Sequence, residues 1–224
     1  MKSPNSLRIG IGLFILLLSA NVELAGQSNS DGSMPQYLFD DFSDATIQMK
    51  SGQVQQQLLN YNTITGLMVF KKGDKFYDVT NPETIDTVKI EKSKFVPVGK
   101  NFYEVITSGK MYSYYIQHIG NLTQPGKPVG YGGTSQLSAS NYISTANLTG
   151  MQWNLTLPKD YAVVHSEVYW IRAGNAWFDF STEKQLLKLF PDKTTPMKEF
   201  IKGNRVRVDK PESMAKLIEY LNTL

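Results

Sequence analysis

Leu67-Met68-Val69-Phe70-Lys71-Lys72-Gly73-Asp74-Lys75-Phe76-Tyr77-Asp78-Val79 decides the fold class. Two short apolar and aromatic runs flank a Gly-containing pair bounded by lysines, which predicts two strands joined by a tight turn. The neighbouring runs repeat that grammar. Upstream lies Leu58-Leu59-Asn60-Tyr61-Asn62; downstream lie Thr87-Val88-Lys89-Ile90, Phe95-Val96-Pro97-Val98 and Phe102-Tyr103-Glu104-Val105-Ile106. Gly99-Lys100-Asn101 and Ser108-Gly109-Lys110 supply the turns between them. Met111 to Ile119 reads as the longest clear strand of this half, and Tyr161 to Trp170 and Ala176 to Phe180 return to strand character around Ala173-Gly174-Asn175. Pro97 cannot donate to a ladder, so its strand belongs at an edge or at a bulge. No helices alternate with these strands, so parallel βαβ repeats are disfavoured.

The period changes after Ser181. Gln185 to Phe190 forms a short amphipathic segment ended near Pro191. Thr195-Pro196 predicts a helix start with proline at the first position, with Met197, Phe200 and Ile201 on one face. Asp209-Lys210-Pro211-Glu212 resembles a capping box, and Met214, Leu217, Ile218 and Leu221 make the stripe of a packed helix. The expected fold is therefore α+β: an antiparallel sandwich, roll or partly closed barrel over residues 37–180, followed by a helical segment over 181–224 packed on it. A long Gly- and Ser-rich loop is expected over 121–158.

The N-terminus reads as an export signal. Lys2 and Arg8 precede the apolar run Ile9 to Leu18, too short to span a bilayer, and a small-residue zone follows at Ser19-Ala20 and Ala25-Gly26. Residues 1–26 are the expected signal peptide; cleavage after Ala20 or Ala25 is an alternative to cleavage after Gly26. Residues 27–36 are polar and turn-rich and are expected to form a flexible leader. With no cysteine in the chain, lipid attachment at that terminus has no acceptor. The expectation is an exported, soluble, periplasmic or cell-surface protein with no membrane span after cleavage. The absence of cysteine in an exported chain points towards a bacterial envelope.

Three C-terminal stretches, Lys184 to Lys193, Met197 to Asn204 and Lys216 to Tyr220, carry a resemblance, as do Leu59-Asn60-Tyr61-Asn62, Asn81 to Asp86 and Gly130 to Ser135. Together they resemble a group of uncharacterised secreted proteins from Bacteroidota. The resemblance implies an envelope location and supplies no activity, cofactor or catalytic residue.

Composition narrows the chemistry. A net charge of +3, two histidines and no cysteine argue against nucleic-acid binding and remove thiol nucleophiles, thiol redox and cysteine-rich zinc sites. No Gly-x-Ser-x-Gly elbow and no P-loop ending are present. His165 and Glu167, two apart in a strand, share a face and could form a dyad; a solvated sheet surface is the simpler reading. Glu104 and Glu167 are the carboxylate pair to inspect for hydrolysis, since such pairs meet in space rather than in sequence. No metal site and no cofactor are expected. Aromatic residues are the remaining signal. Tyr112, Tyr114, Tyr131 and Trp153 are the candidate binding residues, because exposed rings on sheets and loops suit protein or glycan recognition. The leading expectation is a non-enzymatic envelope protein that binds a protein or a glycan. The alternative is an envelope hydrolase built on Glu104, His165 and Glu167.

Overall fold

Alternation is clearest over Ser43–Met49, where Ala45, Ile47 and Met49 are buried and the residues between them are not, and short closing turns fix the register of the hairpins. The computed structural model describes residues 34–73, 75–123, 128–129, 133–134 and 162–224. The first four strands are β1 (Ser43–Met49), β2 (Val54–Asn62), β3 (Leu67–Lys72) and β4 (Lys75–Asp78). A single 3-10 turn at Pro82–Thr84 leads to β5 (Ile85–Ile90), β6 (Ser93–Val98), β7 (Asn101–Ser108) and β8 (Tyr112–Thr123). Two short strands, β9 (Pro128–Val129) and β10 (Gly133–Thr134), pair with each other, and β11 (Ala162–Ala173) and β12 (Ala176–Phe180) follow.

Ten of these strands form one antiparallel sheet in the order β12-β11-β8-β7-β6-β5-β1-β2-β3-β4. It is not closed, since β4 and β12 stand at opposite edges. The hairpin read from Gly73 is present: β3 pairs with β4 with Lys72 opposite Lys75, and Gly73 has φ +62°. Pro97 sits in β6, an interior strand opposite Phe102, so its expected edge position is not observed. β6 pairs with β5 only through Ser93 to Phe95, so no bond to β5 is demanded of the proline nitrogen.

The two ends of the sheet touch at one corner. Gly120 donates its N–H to the Thr63 carbonyl (2.8 Å), Phe102 donates to the Gly66 carbonyl (3.0 Å), and the Tyr61 hydroxyl donates to the His118 carbonyl (3.1 Å). Gly120 lacks a side chain where Thr63 Oγ1 and Val163 crowd it, so this approach requires glycine.

Three helices cover one face of the far strands: α1 (Glu183–Leu189), α2 (Thr194–Asn204) and α3 (Pro211–Leu221). Met197, Ile201, Met214, Leu217, Ile218 and Leu221 bury against Tyr114, Ile116, Ile171 and Phe180 of the sheet. A second cluster, with Leu59, Tyr61, Met68, Ile90, Phe95 and Phe102, fills the other half. Among the described residues no helix is long and apolar enough to cross a membrane.

Boundaries differ from the sequence expectation in four places. Gln36, placed in the leader, is buried, because its carbonyl accepts from both the Thr63 N–H and the Thr63 hydroxyl. The first three residues of the expected loop, 121–123, continue β8, with Leu122 buried. Asp209 does not cap α3; its carboxylate pairs with Arg207 and the N-cap is Lys210. The reciprocal capping box belongs instead to Thr182 and Gln185 at the start of α1. Residues 1–33 and most of the loop, including Tyr131 and Trp153, lie outside the described residues.

Candidate functional site

Three adjacent strands place three titratable side chains on one face. In β11, Glu167 lies directly opposite His118 of β8; in β7, Glu104 lies opposite Ile116, one diagonal step from His118. Side chains diagonal or opposite across an antiparallel pair fall within reach of each other. His118 Nε2 meets Glu104 Oε2 at 2.7 Å, and His118 Nδ1 faces Glu167 Oε1 at 3.8 Å. Tyr169 donates its hydroxyl to Glu167 Oε2 at 3.0 Å. The imidazole also meets Tyr61 edge-on, with ring centroids 6.1 Å apart, and Tyr61 in turn stacks on Phe95.

The result is a graded site. His118 and Glu104 are mostly buried, whereas the Glu167 side chain is 39% exposed. Burial pushes the Glu104 carboxyl up, but bonds from His118 and Ser93, with the charge of His118, outweigh it and hold the group below the ordinary carboxylate range. Desolvation, the bond to Glu167 and the nearby carboxylates of Glu167 and Asp209 push the Tyr169 hydroxyl up to about 12. Above these groups opens a cleft of about 440 Å³, bounded by Tyr37, Leu38, His118, His165, Glu167 and Tyr169. Among the described residues no Lys or Arg borders it.

Sequence reasoning paired His165 with Glu167. The structure sets Glu167 beside His118 instead, and His165, opposite Gly120, stands exposed at the cleft wall. The signal for His118 was its place at the end of the alternating row Tyr112, Tyr114, Ile116; the signal for its carboxylate partners was available only from register. Among the described residues no cluster of His, Asp and Glu could hold a metal ion. Ser166 also borders the cleft, but its hydroxyl accepts from Asn121 (3.1 Å), which lies with it on the opposite face by strand alternation. Among the described residues no hydroxyl nucleophile is bonded to the His118 imidazole.

Of the aromatic candidates, Tyr112 and Tyr114 lie among the described residues, on one face of β8. Tyr114 is fully buried against Tyr169 and Phe180, beneath the helices, and burial raises its hydroxyl well above the usual range. Tyr112 is half-buried and meets Phe190 edge-on, with the Lys193 ammonium over its ring. Tyr114 is thus a core residue, whereas Tyr112 keeps part of its ring exposed. Tyr115, next in sequence to Tyr114, points to the opposite face. There it joins Tyr103, Trp170 and Trp177: Tyr103 stacks on Trp170 at 5.5 Å, Tyr115 lies 4.8 Å from Trp177, and Arg172 lies over both Tyr115 and Trp177. Comparison with protein-family models, curated proteins and solved structures gives no match.

Proposed function

We propose that this chain is an exported, non-enzymatic binding protein of a bacterial envelope, and that its ligand seat is the cleft floored by His118. The observation that carries the reading is the position of the imidazole between Glu104 and Glu167. A glycoside hydrolase needs the scissile bond between its two carboxylates, separated by roughly 5–9.5 Å. Here that space is filled by a ring bonded to one carboxylate and facing the other. The same arrangement suits recognition. Glu104 fixes the ring, Tyr169 fixes the Glu167 carboxylate, and the exposed oxygen edge of Glu167 remains available to a ligand donor. A volume near 440 Å³ accommodates one sugar unit or one polar side chain of a protein partner. Export and envelope location rest on the Lys2 to Gly26 signal pattern and on the resemblance to secreted Bacteroidota proteins.

The competing reading is a hydrolase using the convergent Glu104, His118 and Glu167, favoured by their contact across three strands. Both are separated by titrating the purified protein with envelope glycan fragments and peptides while following amide NMR shifts and product formation together. Binding reading: shifts centre on Glu167 and Tyr169, Glu167→Gln abolishes them, and no product accumulates. Turnover that Glu167→Gln eliminates would replace it with the hydrolase.

A further inference from the structure

The edge of the sheet at β12 is built differently from the edge at β4. In β4 the rings are engaged within the chain: Phe76 packs on Phe42 with Lys71 over it, and Tyr77 stacks on Phe70. In β12, Trp177 and Phe180 find ring partners, but Phe178 is 40% exposed and has no ring partner among the described residues. Asp179 is exposed and has no ion-pair partner among them either. The strand carries no proline, lysine or bulge, the devices that keep sheet edges from pairing.

Register specifies which backbone groups this edge offers. Gly174-Asn175 is a two-residue turn with Gly174 at φ +60°, so Ala173 and Ala176 form the pair that exchanges hydrogen bonds. Alternation then turns the N–H and C=O groups of Trp177 and Asp179 outward, away from β11, and those of Phe178 inward. Beyond the strand, the Ser181 and Thr182 N–H groups are closed off by Gln185 Oε1 (2.9 and 3.1 Å). The open edge is Trp177 to Asp179.

The geometry points to a second copy of this chain as its occupant, paired antiparallel about a two-fold axis at Phe178. In that register Trp177 faces Asp179 of the other copy, both with outward backbone groups, so each pair exchanges N–H and C=O bonds. The two Phe178 rings meet at a non-hydrogen-bonded position, where side chains lie closest. Arg172 is opposite Trp177 in the β11–β12 ladder and reaches over its ring at 5.9 Å. That places its guanidinium on the same face as, and directed towards, the other copy's Asp179. The edge is thus self-complementary in backbone, apolar and charged groups, the property an isologous interface demands. A one-residue slip in register, with the axis between two residues, would oppose outward groups to inward ones and lose the bonds, and an axis at Trp177 or Asp179 would leave one such pair in place of two.

The chain has no cysteine, which makes the test clean. In the proposed register the Cβ atoms at position 178 approach to about 4.5 Å, within disulfide reach. Purified Phe178→Cys is therefore expected to form a disulfide-linked dimer under mild oxidation at least about tenfold faster than Val164→Cys, an exposed position on β11. Sedimentation of the unmodified protein is expected to show a concentration-dependent dimer, lost in Phe178→Lys and weakened about tenfold in Asp179→Lys. A monomer at every concentration would overturn the proposal. So would cross-linking at position 178 no faster than at 164, or a dimer that persists in a Phe178→Lys variant with native circular dichroism. Should Phe178→Lys fail to fold, the cross-linking rate decides alone.

Discussion

Glu104 and His118, 14 residues apart on neighbouring strands, meet at 2.7 Å between Oε2 and Nε2. The carboxyl of Glu104 is held below its ordinary range in spite of burial, so folding favours its ionised form. A group with a depressed folded pKa contributes stability that is present above its unfolded pKa, about 4.3. That contribution is lost as the pH falls through the lower folded value. Glu104→Gln is therefore expected to lower stability by roughly 1–2 kcal/mol near neutral pH, the size of a charge-assisted bond at a partly buried site. The difference from wild type should shrink as the pH falls below about 4. Urea unfolding of both proteins at several pH values measures this; a pH-independent difference would mean that Glu104 acts by packing alone.

The C-terminus is fastened by a single carboxamide. Asn222 Oδ1 accepts from the Met111 and Tyr112 N–H groups (2.9 Å each), and its Nδ2 donates to the carbonyls of Tyr112 (2.9 Å) and Ile218 (2.8 Å). Gly109 leaves room for it, since a Cβ there would collide with the amide. Asn222→Ala removes these bonds and is expected to cost about 1–3 kcal/mol, part of it recovered by water at the exposed Met111. The thermal midpoint should fall by roughly 2–4 °C per kcal/mol for a chain of this size. Amide exchange should quicken first in α3 and at the β7–β8 turn.

Most of the strands, the three helices and the β3–β4 hairpin were legible because each rests on local periodicity or on a glycine at a turn; β1, central in the sheet, was not read as a strand. The site was legible only in part. Glu104 and Glu167 could be selected as carboxylates within strands, but their meeting at His118 depends on a register set by turns and by the irregularity at Val105–Thr107 in β7. Adjacent Tyr114 and Tyr115 show the same limit. Alternation says that they point to opposite faces, but not which face the helices cover, and helix packing settled that Tyr114 is core. Gly109 reads only as turn punctuation and Gly120 carries no reading at all, whereas their work is to admit residues distant in sequence, Asn222 and Thr63. Close approach leaves no local signature.

Arg205 ends α2 in the left-handed region, φ 51°, with the Val206 N–H bonded to the Ile201 carbonyl at 3.0 Å. That position favours glycine, yet the glycine of this helix stands two residues earlier, at Gly203. Arg205 is exposed and no ion pair holds it among the described residues. Arg205→Gly is expected to raise stability by about 0.5–1 kcal/mol through relief of the backbone conformation. Thermal unfolding of the single variant checks the sign, and a lower midpoint would show that the arginine side chain contributes more than its conformation costs.

Alkali should unfold this protein more sharply than acid, because its buried phenols are many and its buried carboxyls few. Tyr37, Tyr61 and Tyr114 are pushed well above the usual tyrosine range, primarily by burial, and Tyr103 is raised by the same cause. Tyr169 is pushed up to about 12 by desolvation and by Glu167. A raised folded pKa means that folding favours the protonated form. The stability contributed is whole below the unfolded value, about 10, and is lost as the pH rises through the folded values. Ionisation in the unfolded chain therefore draws the equilibrium over, and several protons leave in one cooperative step. The expected outcome is tyrosinate absorbance that lags behind that of free tyrosine above pH about 10, then rises together with loss of near-ultraviolet circular dichroism. Tyr114→Phe removes one titrating group and a hydroxyl that has no hydrogen-bond partner among the described residues. It should shift that transition to higher pH and leave neutral stability equal or improved. Gradual tyrosinate formation with the fold intact would mean that these hydroxyls are accessible to solvent.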